Sequence, residues 1–393
     1  MTHDSCLEAA LLPFKLSHVA AGFIAVLVGY TSSVAIIFQA IDRLGATDAQ
    51  ANSWMLVLGL GMGLSTLVLS LGNRMPVLTA WSTPGAALIA LSSGLTLPQA
   101  TGAFILCALL LIATGLSGWF DKLTRLIPDS LANAMLAGIL FSFGMKIFDA
   151  LGTDRPLVLL MGAAYLALKR LAPRYAIAGV FFAGLAYVAA TGGFEGVSLP
   201  VALARPEFVM PEFSLPALIG LGLPMFLVTM SSQNMPGVVT LRADGYTPDI
   251  GRAITVTGLF SLLLAPFGGY AFNLAAITAA ICTGPDADDN PRTRYKAALF
   301  AGSFYVVIGL MGATVIGLFL ILPGALVLTI AALALLGSIG NSLSAAMAPR
   351  DEREAALLTF MATASGFSLY GIGAPFWALL LGLVVRVSLR RAR

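Results

Sequence analysis

The sequence predicts an all-α polytopic membrane protein with fourteen transmembrane segments arranged as two inverted repeats of seven. Three observations predict it: an apolar composition, a regular series of apolar segments and an uneven distribution of basic residues. Of the 393 residues, 58% are hydrophobic and only 10% are charged, and the mean hydropathy is +0.92. A soluble domain carries about 25% charged residues, so this chain has too few charges to cover a surface that faces water.

Fourteen apolar segments are long enough, as continuous or interrupted helices, to cross a hydrocarbon core of ~30 Å. The longest polar stretches between them, 193–213 and 285–295, are too short for a domain of the usual ~50 residues or more. The predicted spans are 17–41, 53–72, 76–93, 98–120, 128–148, 156–171, 174–192, 214–236, 251–267, 269–284, 296–321, 323–347, 355–371 and 373–389.

Basic residues alternate in density from one connection to the next. With the N-terminus placed in the cytoplasm, eighteen of the 22 Lys and Arg residues fall on the inside and four on the outside. Cytoplasmic connections carry an excess of Lys and Arg, so this alternation supports the span count and predicts that both termini are cytoplasmic. The chain is therefore expected to lie in the cell inner membrane as a multi-pass protein surrounded by lipid.

The two halves of the chain resemble each other weakly. Seven spans per half is an odd number, so the second copy inserts upside down, which is the inverted-repeat plan of secondary transporters. The predicted units are residues 1–192, a connecting loop at 193–213 and residues 214–393. Chance similarity between apolar segments is the alternative. The matching residues are Thr31, Ser32, Ser33, Arg43, Gly45 and Thr47 in the first half and Met230, Ser231, Ser232, Arg242, Gly245 and Thr247 in the second.

Spans 3 and 10 carry residues that interrupt a helix. Pro84 lies in the middle of span 3, where proline removes a helix hydrogen bond but suits the first turn of a helix that follows a Ser or Thr cap. Residues 76–83 are therefore predicted to be extended, and a half-helix to begin at Pro84. In span 10, Gly268 and Gly269 permit extension, and Asn273 is the predicted cap of a second half-helix.

Span 3 enters the membrane from the inside and span 10 from the outside, so the two half-helix N-termini are expected to face each other near the midplane. Unpaired N–H groups and the positive ends of helix dipoles favour an anion at such a place. A plain proline kink in a packed helix is the alternative.

Several amide side chains lie within the spans. Buried amides often only hydrogen-bond neighbouring helices, and Asn133 and Asn341 are interpreted in that way. Gln233 and Asn234 differ because they closely precede Pro236 and Gly237, which are predicted to break span 8. No Asp or Glu lies in the middle of a span, where proton-coupled carriers usually have one. The site therefore suits a substrate that brings its own negative charge, or one that carries the proton on its own carboxylate.

Metal, cofactor and nucleic-acid sites are not indicated. Cys6, Cys107 and Cys282 form no CxxC or Cys/His cluster, and both histidines, His3 and His18, lie near the N-terminus. The sequence therefore predicts no disulfide framework, no metal and no cofactor. A net charge of +3 provides no basic face for nucleic acid, and no nucleophile–base pair points to an enzyme.

Three runs of the sequence resemble the benzoate:proton symporter family: Trp81–Ala87, Ser231–Gly237 and Ala271–Thr278. That family is similar, more distantly, to nucleobase and sulfate-permease transporters. The resemblance covers essentially the whole chain. It implies a core domain of spans 1–4 and 8–11, a gate domain of spans 5–7 and 12–14, and a substrate bound between half-helices 3 and 10.

Nucleobase carriers have glutamates on spans 8 and 10 that bind the base, and here Gln233 and Phe272 stand at those places. Losing both carboxylates relieves the repulsion of an anion. Phe272 either stacks on an aromatic ring of the substrate or packs in the core.

The expected function is a secondary transporter that imports benzoate, or a similar small aromatic carboxylate, with protons. The alternatives are a carrier of another organic or inorganic anion or of a nucleobase, and an anion channel of the same fold, although channels tend to have rings of charge. A homodimer is left open as the assembly. The predicted substrate-binding residues are Gln39, Thr79, Ser82, Thr83, Ser232, Gln233, Asn234, Phe272, Asn273 and Thr278, and the predicted half-helix breaks are Pro84, Gly85, Pro236 and Gly237.

Overall fold

The computed structural model describes residues 14–118, 128–172, 176–192, 203–285, 287–312, 314, 322–369 and 372–391. Within these ranges the chain is predominantly helical, which confirms the predicted all-α class. The fifteen helices of the described ranges are α1 (Leu16–Arg43), α2 (Asp48–Asn73), α3 (Thr83–Leu91), α4 (Leu97–Ser117), α5 (Asp129–Gly144), α6 (Lys146–Thr153), α7 (Arg155–Leu171), α8 (Ala176–Ala190), α9 (Leu215–Arg242), α10 (Ile250–Leu264), α11 (Ile277–Thr283), α12 (Tyr295–Leu310), α13 (Gly324–Met347), α14 (Arg353–Ala364) and α15 (Ala374–Arg391). The strands are β1 (Thr79–Ala80), β2 (Asn273–Leu274), β3 (Ser368–Leu369) and β4 (Ile372–Gly373).

Six helical segments in the described ranges are long and apolar enough to cross a membrane, judged by length and composition. They are α2, α4, α5 together with α6, α9, α10 with its extension to Phe267, and α13. α1 becomes a seventh if its halves, Leu16–Tyr30 and Ser33–Arg43, which are bent by 42°, form one span. The chain is therefore a multi-pass membrane protein.

A helix, or a short strand followed by a helix, lies within each of the fourteen predicted spans. The count of fourteen crossings and the inverted repeat stay predictions. Parts of several predicted segments lie outside the described residues, namely 119–120, 174–175, 193–202, 313, 315–321 and 370–371.

Helix α14 ends at Ala364, well before the predicted end of span 13 at residue 371. Gly366 has a φ of +66°, the left-handed conformation that commonly ends helices, and its N–H donates to the carbonyl of Thr363. β3 and β4 then form a short antiparallel pair that leads into α15. The predicted span extends past its helix, because an apolar composition does not show the stop that this glycine provides.

Small residues bring α2 and α12 close together. A Cβ on Gly59 of α2 would lie 2.5 Å from Cα of Gly309 in α12, and a Cβ on Gly63 would lie 2.6 Å from the carbonyl oxygen of Gly302. Small residues at such interfaces let membrane helices approach each other. The glycines of these two helices therefore serve their close packing.

A buried carboxylate ties the start of α1 to the loop between α11 and α12. Oδ1 of Asp288 accepts hydrogen bonds from Nζ of Lys15 at 2.8 Å and from the N–H of Asn290 at 3.0 Å. Oδ2 accepts one from the hydroxyl of Thr293 at 2.7 Å and lies 2.8 Å from Nε2 of His18. Burial alone raises the pKa of Asp288, but these hydrogen bonds outweigh it and hold the pKa well below its ordinary value. These five residues are called the Asp288 cluster below.

Candidate functional site

Spans 3 and 10 meet as a two-stranded antiparallel ribbon. β1 pairs with β2, with Thr79 opposite Leu274 and Ala80 opposite Asn273. α3 begins three residues after β1, and α11 begins three residues after β2. The two half-helices therefore leave the ribbon in opposite directions, and both of their N-termini lie beside it.

The start of α3 is capped, which leaves it few free donors. The helix begins at Thr83, one residue before the predicted start, with Ser82 as its cap and Pro84 in its first turn. The Ser82 hydroxyl accepts hydrogen bonds from the N–H of Gly85 at 3.1 Å and from the hydroxyl of Thr229 in α9 at 2.9 Å. Because proline has no N–H, the backbone N–H of Thr83 is the one first-turn donor without a partner in the described part of the chain.

The start of α11 has no side-chain cap. Its cap position is Ala276, and Asn273 lies in β2 instead. The prediction that Asn273 caps this helix was wrong. Asn273 lies in β2, three residues before the cap position, and its side chain does not reach the first N–H groups of α11. Three N–H groups, those of residues 277, 278 and 279, have no acceptor within the helix and none elsewhere among the described residues. The side chain of Ile277 is 71% exposed, so this helix start borders an open surface.

Thr79 and Phe272 hold the ribbon against α2. The hydroxyl of Thr79 donates to the carbonyl of Met62 at 2.8 Å and lies 2.7 Å from the hydroxyl of Ser65. The ring of Phe272 is fully buried, and a Cβ on Gly61 of α2 would lie 2.1 Å from its Cζ. Of the two roles left open for Phe272, its surroundings are those of core packing.

Helix α9 runs unbroken past Pro236 and Gly237, so the predicted break in span 8 was wrong. A π-helical turn, Met230–Asn234, ends two residues before the proline, and the N–H of Met235 donates to the carbonyl at the start of that turn. Such a local π adjustment accommodates the missing N–H of a proline inside a membrane helix. Gly237 serves contact instead, since a Cβ there would lie 2.6 Å from Cβ of Leu274.

The polar residues of the π-helical turn have three different roles. Oδ1 of Asn234 accepts a hydrogen bond from the N–H of Leu274 at 2.9 Å, so this side chain fixes the ribbon to α9. The hydroxyl of Ser232 donates to the carbonyl of Val228 at 2.6 Å, within its own helix. Gln233 is half-buried, and its side chain makes no hydrogen bond within the described part of the chain. Gln233 lies about one turn beyond Thr229, the residue that contacts Ser82, and its amide is therefore available near the start of α3.

Three aromatic side chains surround the helix starts, and they are called the aromatic cluster below. The rings of Tyr30 in α1 and Trp81 lie edge to face with centroids 4.9 Å apart, and the rings of Tyr30 and Tyr305 in α12 lie 6.0 Å apart. Nε1 of Trp81 donates to the hydroxyl of Ser33 at 2.9 Å, while the hydroxyl of Tyr30 is buried with no partner among the described residues. Trp81 directly precedes the cap of α3.

Sequence reasoning did not assign the aromatic cluster to the site. Tyr and Trp usually concentrate at the membrane interfaces, so their position in the middle of spans 1 and 3 was the available signal. Thr278 of α11 lies near the aromatic cluster. A Cβ on Gly29 would lie 3.0 Å from the hydroxyl of Tyr305 and 3.4 Å from Cγ2 of Thr278, so both side chains approach Gly29 of α1.

Gln39 is not brought to this site. Its Oε1 accepts a hydrogen bond from Nζ of Lys146 in α6 at 3.3 Å. It lies six residues beyond Ser33 along α1, which is about 9 Å of helix. The structure therefore brings together the start of α3, the start of α11, the π-helical turn of α9 and the aromatic cluster, and leaves Gln39 elsewhere.

The fold and this site define a multi-pass membrane transporter rather than an enzyme. Two half-helix starts with free N–H groups lie beside the aromatic cluster, an arrangement suited to binding a small solute reversibly. The chain belongs to the benzoate membrane transport protein family, whose sequence model matches residues 12–388.

Relatives of this chain support the family. The inner membrane protein YdcO of Escherichia coli (strain K12) is 46% identical over 370 residues, which cover 94% of this chain and 95% of that protein. The benzoate membrane transport protein of Acinetobacter baylyi (strain ATCC 33305 / BD413 / ADP1) is 37% identical over 372 residues, which cover 94% of each. The murine anion transporter solute carrier 26 family member A9, solved in the inward-facing state, matches with a TM-score of 0.66 at 13% identity over 97% of this chain and 68% of that chain. At that identity the likeness supports the fold.

Proposed function

We propose that this chain is a secondary transporter that imports benzoate, or a similar small aromatic carboxylate, together with protons. The observation that carries the proposal is the pairing of two half-helix starts beside the aromatic cluster. The free N–H groups of Thr83 and of the first turn of α11 receive the carboxyl group, assisted by the amide of Gln233. In the proposal, the side chains of Tyr30, Trp81 and Tyr305 contact the ring of the substrate.

Both halves of this site are needed for useful affinity. Two helix N-termini contribute roughly 1–4 kcal/mol to the binding of an anion. Burying about 100 Å² of an aromatic ring contributes roughly 2.5 kcal/mol. Inorganic anions lack the second contribution, and aromatics without a carboxyl or amide group lack the first, so an aromatic carboxylic compound is the ligand that uses the whole site.

The transport cycle follows from the expected division of the chain. In the proposal, the core domain of spans 1–4 and 8–11 moves against the gate domain of spans 5–7 and 12–14 and exposes the site alternately to each side. The protein lies in the inner membrane with both termini in the cytoplasm, as the distribution of Lys and Arg predicts. YdcO, the relative from Escherichia coli, is named an inner membrane protein. A homodimer stays a prediction.

A carrier of another anion is the second candidate function. It is favoured by the helix starts, which attract small anions of any shape, and by the structural likeness to an anion transporter. The aromatic cluster separates the two candidates, because an inorganic anion makes no use of three aromatic side chains at its binding site.

The test is uptake of labelled benzoate into proteoliposomes with an imposed inward proton gradient. We expect the gradient to drive accumulation, and benzoate analogues to compete at least tenfold better than sulfate, bicarbonate or uracil. Uptake that does not depend on the gradient would contradict the proposed proton coupling. Equal competition by sulfate would favour the second candidate.

A further inference from the structure

Asn273 presents a buried hydrogen-bond acceptor that the described protein leaves unused. Its side chain is fully buried, and Nδ2 donates to the carbonyl of Ala271 at 2.9 Å. A carbonyl can only accept, so this contact fixes which way the amide points. Oδ1 then has no partner among the described residues. Because an unpaired buried acceptor costs roughly 1–3 kcal/mol, its presence indicates a donor that arrives with the ligand.

The ribbon places this acceptor at the entrance to α3. Asn273 lies opposite Ala80, two residues before the cap Ser82. Successive residues of a strand point to opposite faces, and Thr79 faces α2 through its hydrogen bonds. Asn273 and Ala80 therefore share the other face, where Ala80 is only half-buried. Oδ1 of Asn273 therefore lies on the face of the ribbon that bears Ala80, and Ala80 is close in sequence to Thr83, whose free N–H lies at the start of α3.

An acceptor at this place distinguishes the two protonation states of a carboxyl group. A carboxylate offers only acceptors, so an oxygen placed against Oδ1 is repelled. A protonated carboxyl group donates one O–H and keeps its second oxygen for the N–H groups of the helix starts. The neutral acid satisfies both kinds of protein group, and the anion satisfies one kind only.

The protein groups around Asn273 provide no substitute carrier for the proton. The titratable side chains on the elements packed nearby are Tyr30 of α1, Tyr270 before β2, Cys282 of α11 and Tyr305 of α12. Groups of these types ordinarily titrate at about pH 8.5 or above, so none exchanges a proton near neutral pH. The other ionisable residues of the surrounding helices lie near their ends, namely His18, Asp42 and Arg43 in α1, Asp48 in α2, Arg242 in α9, Arg252 in α10 and Lys296 in α12.

We propose that Asn273 selects the protonated carboxylic acid, so that the cotransported proton crosses the membrane on the substrate. On the outer side, a proton from water joins a carboxylate oxygen and forms the O–H bond that Oδ1 accepts. On the inner side that bond breaks, and the proton returns to water. One proton accompanies each carboxylate, and the transported species is neutral. This inference rests on the proposed function.

The experiment compares benzoate with two uncharged relatives as competitors for binding to the purified full chain. Benzamide has the same ring and shape, and its NH₂ group donates where the acid O–H does, but it has no proton to lose near neutral pH. Methyl benzoate keeps the ring and the carbonyl and has no donor. Competition against labelled benzoate is measured at pH 6, 7 and 8.

The proposal expects three results. Benzamide competes with an inhibition constant that does not change with pH. The dissociation constant of benzoate rises about tenfold for each unit of pH, because the fraction of protonated acid falls tenfold. Methyl benzoate competes at least tenfold less well than benzamide, because Oδ1 then has no donor.

The outcomes separate this inference from the function on which it rests. If benzoate binds with the same affinity at each pH and benzamide does not compete, the site recognises the anion, and the inference is overturned while the proposed function stands. Equal competition by methyl benzoate and benzamide also overturns it. If neither benzoate nor benzamide binds, the proposed function itself fails.

A variant locates the effect at Asn273. Asn273→Leu removes the acceptor and is expected to abolish the preference for benzamide over methyl benzoate. Asn133→Leu is the matched control, because Nδ2 of Asn133 also donates to a backbone carbonyl, that of Asp129 at 2.7 Å, but on α5. An unchanged preference in Asn273→Leu contradicts the assignment. If that variant does not fold, the ligand series on the unmodified protein still decides.

Discussion

The Asp288 cluster and the ribbon between α3 and α11 are both buried and polar, but they differ in whether their buried polar atoms have hydrogen-bond partners. In the cluster, both side-chain oxygens of Asp288 have partners. At the ribbon, Oδ1 of Asn273 and the hydroxyl of Tyr30 have none among the described residues. Buried polar groups are normally paired, because an unpaired one costs roughly 1–3 kcal/mol. We infer that the cluster serves stability and that the ribbon is kept incomplete for a ligand.

The largest expected effect is on stability, at the Asp288 cluster. Asp288→Asn removes the charge that Lys15 faces and replaces an acceptor by a donor among groups that already donate. Breaking a buried pair costs roughly 3–5 kcal/mol, and because the side chain of Lys15 is 54% exposed, we expect the lower end, about 3 kcal/mol. Thermal unfolding in detergent measures it. Asp289→Asn, at the exposed neighbouring position, is the control and should leave the unfolding temperature unchanged.

The pH dependence of that effect has a defined sign. The pKa of Asp288 is lowered in the folded protein, so the unfolded chain binds this proton more tightly than the folded one. The stability that the group contributes is therefore complete above its unfolded pKa of about 4 and is lost as pH falls through the folded pKa. We expect Asp288→Asn to stay less stable than the unmodified protein throughout the range from about pH 5 to pH 8. A difference that disappears within that range would contradict the assignment.

At the ribbon, the expected pattern is the reverse, with function lost and stability retained. Gln233→Glu adds a carboxylate beside the proposed position of the substrate carboxyl group. A carboxylate only accepts hydrogen bonds, so the substrate oxygen that the Gln233 amide assists loses a donor and faces an acceptor, which costs roughly 1–3 kcal/mol. Part of this is relieved if the glutamate takes up a proton, so we expect benzoate affinity to fall about thirtyfold, or roughly 2 kcal/mol.

The matched control for Gln233→Glu is Gln39→Glu, an identical change on α1 beside Lys146. We expect it to leave benzoate binding within about twofold. Equal losses from both variants would mean that an added charge disturbs transport wherever it is placed, and the site would then lie elsewhere.

The parts of the site that depend on local chemistry were predictable from the sequence. Ser82 and Pro84 form a helix start by rules that involve only neighbouring residues, and α3 begins within one residue of the prediction. The lack of any Asp or Glu in mid-span could likewise be seen directly in the sequence.

The parts that depend on contacts between spans were not predictable. Asn273 suits a helix cap by residue type, but pairing with Ala80 across the ribbon holds it in β2. Pro236 suits a helix break, but the π-helical turn before it lets α9 continue. The aromatic cluster combines Tyr30, Trp81 and Tyr305 from three spans, and no sequence period links them.

Asn234 shares a feature with each region. Its own Oδ1 has a hydrogen-bond partner, as in the Asp288 cluster, and that partner belongs to the ribbon, which the side chain positions. Asn234→Ala leaves the N–H of Leu274 buried without its acceptor, which costs roughly 1–3 kcal/mol. We expect the unfolding temperature and benzoate affinity to fall together, since the ribbon loses its anchor on α9. Ser232→Ala, which removes only a hydrogen bond within α9, is the control. A loss of affinity in Asn234→Ala with unchanged stability would instead indicate direct contact with the substrate.

The smallest expected effect gives the sharpest comparison, because it removes one hydroxyl group from each kind of environment. The hydroxyl of Tyr30 is buried without a partner among the described residues, whereas that of Tyr246 donates to the carbonyl of Pro291 at 2.8 Å. Tyr246→Phe should lower the free energy of unfolding by about 1 kcal/mol. Tyr30→Phe should change it by less than about 0.5 kcal/mol, because no hydrogen bond is lost. Its ring, and with it the wall of the site, is retained. If Tyr30→Phe is instead the more destabilising of the two, its hydroxyl is already paired in the folded protein, and the ribbon is less open than we infer.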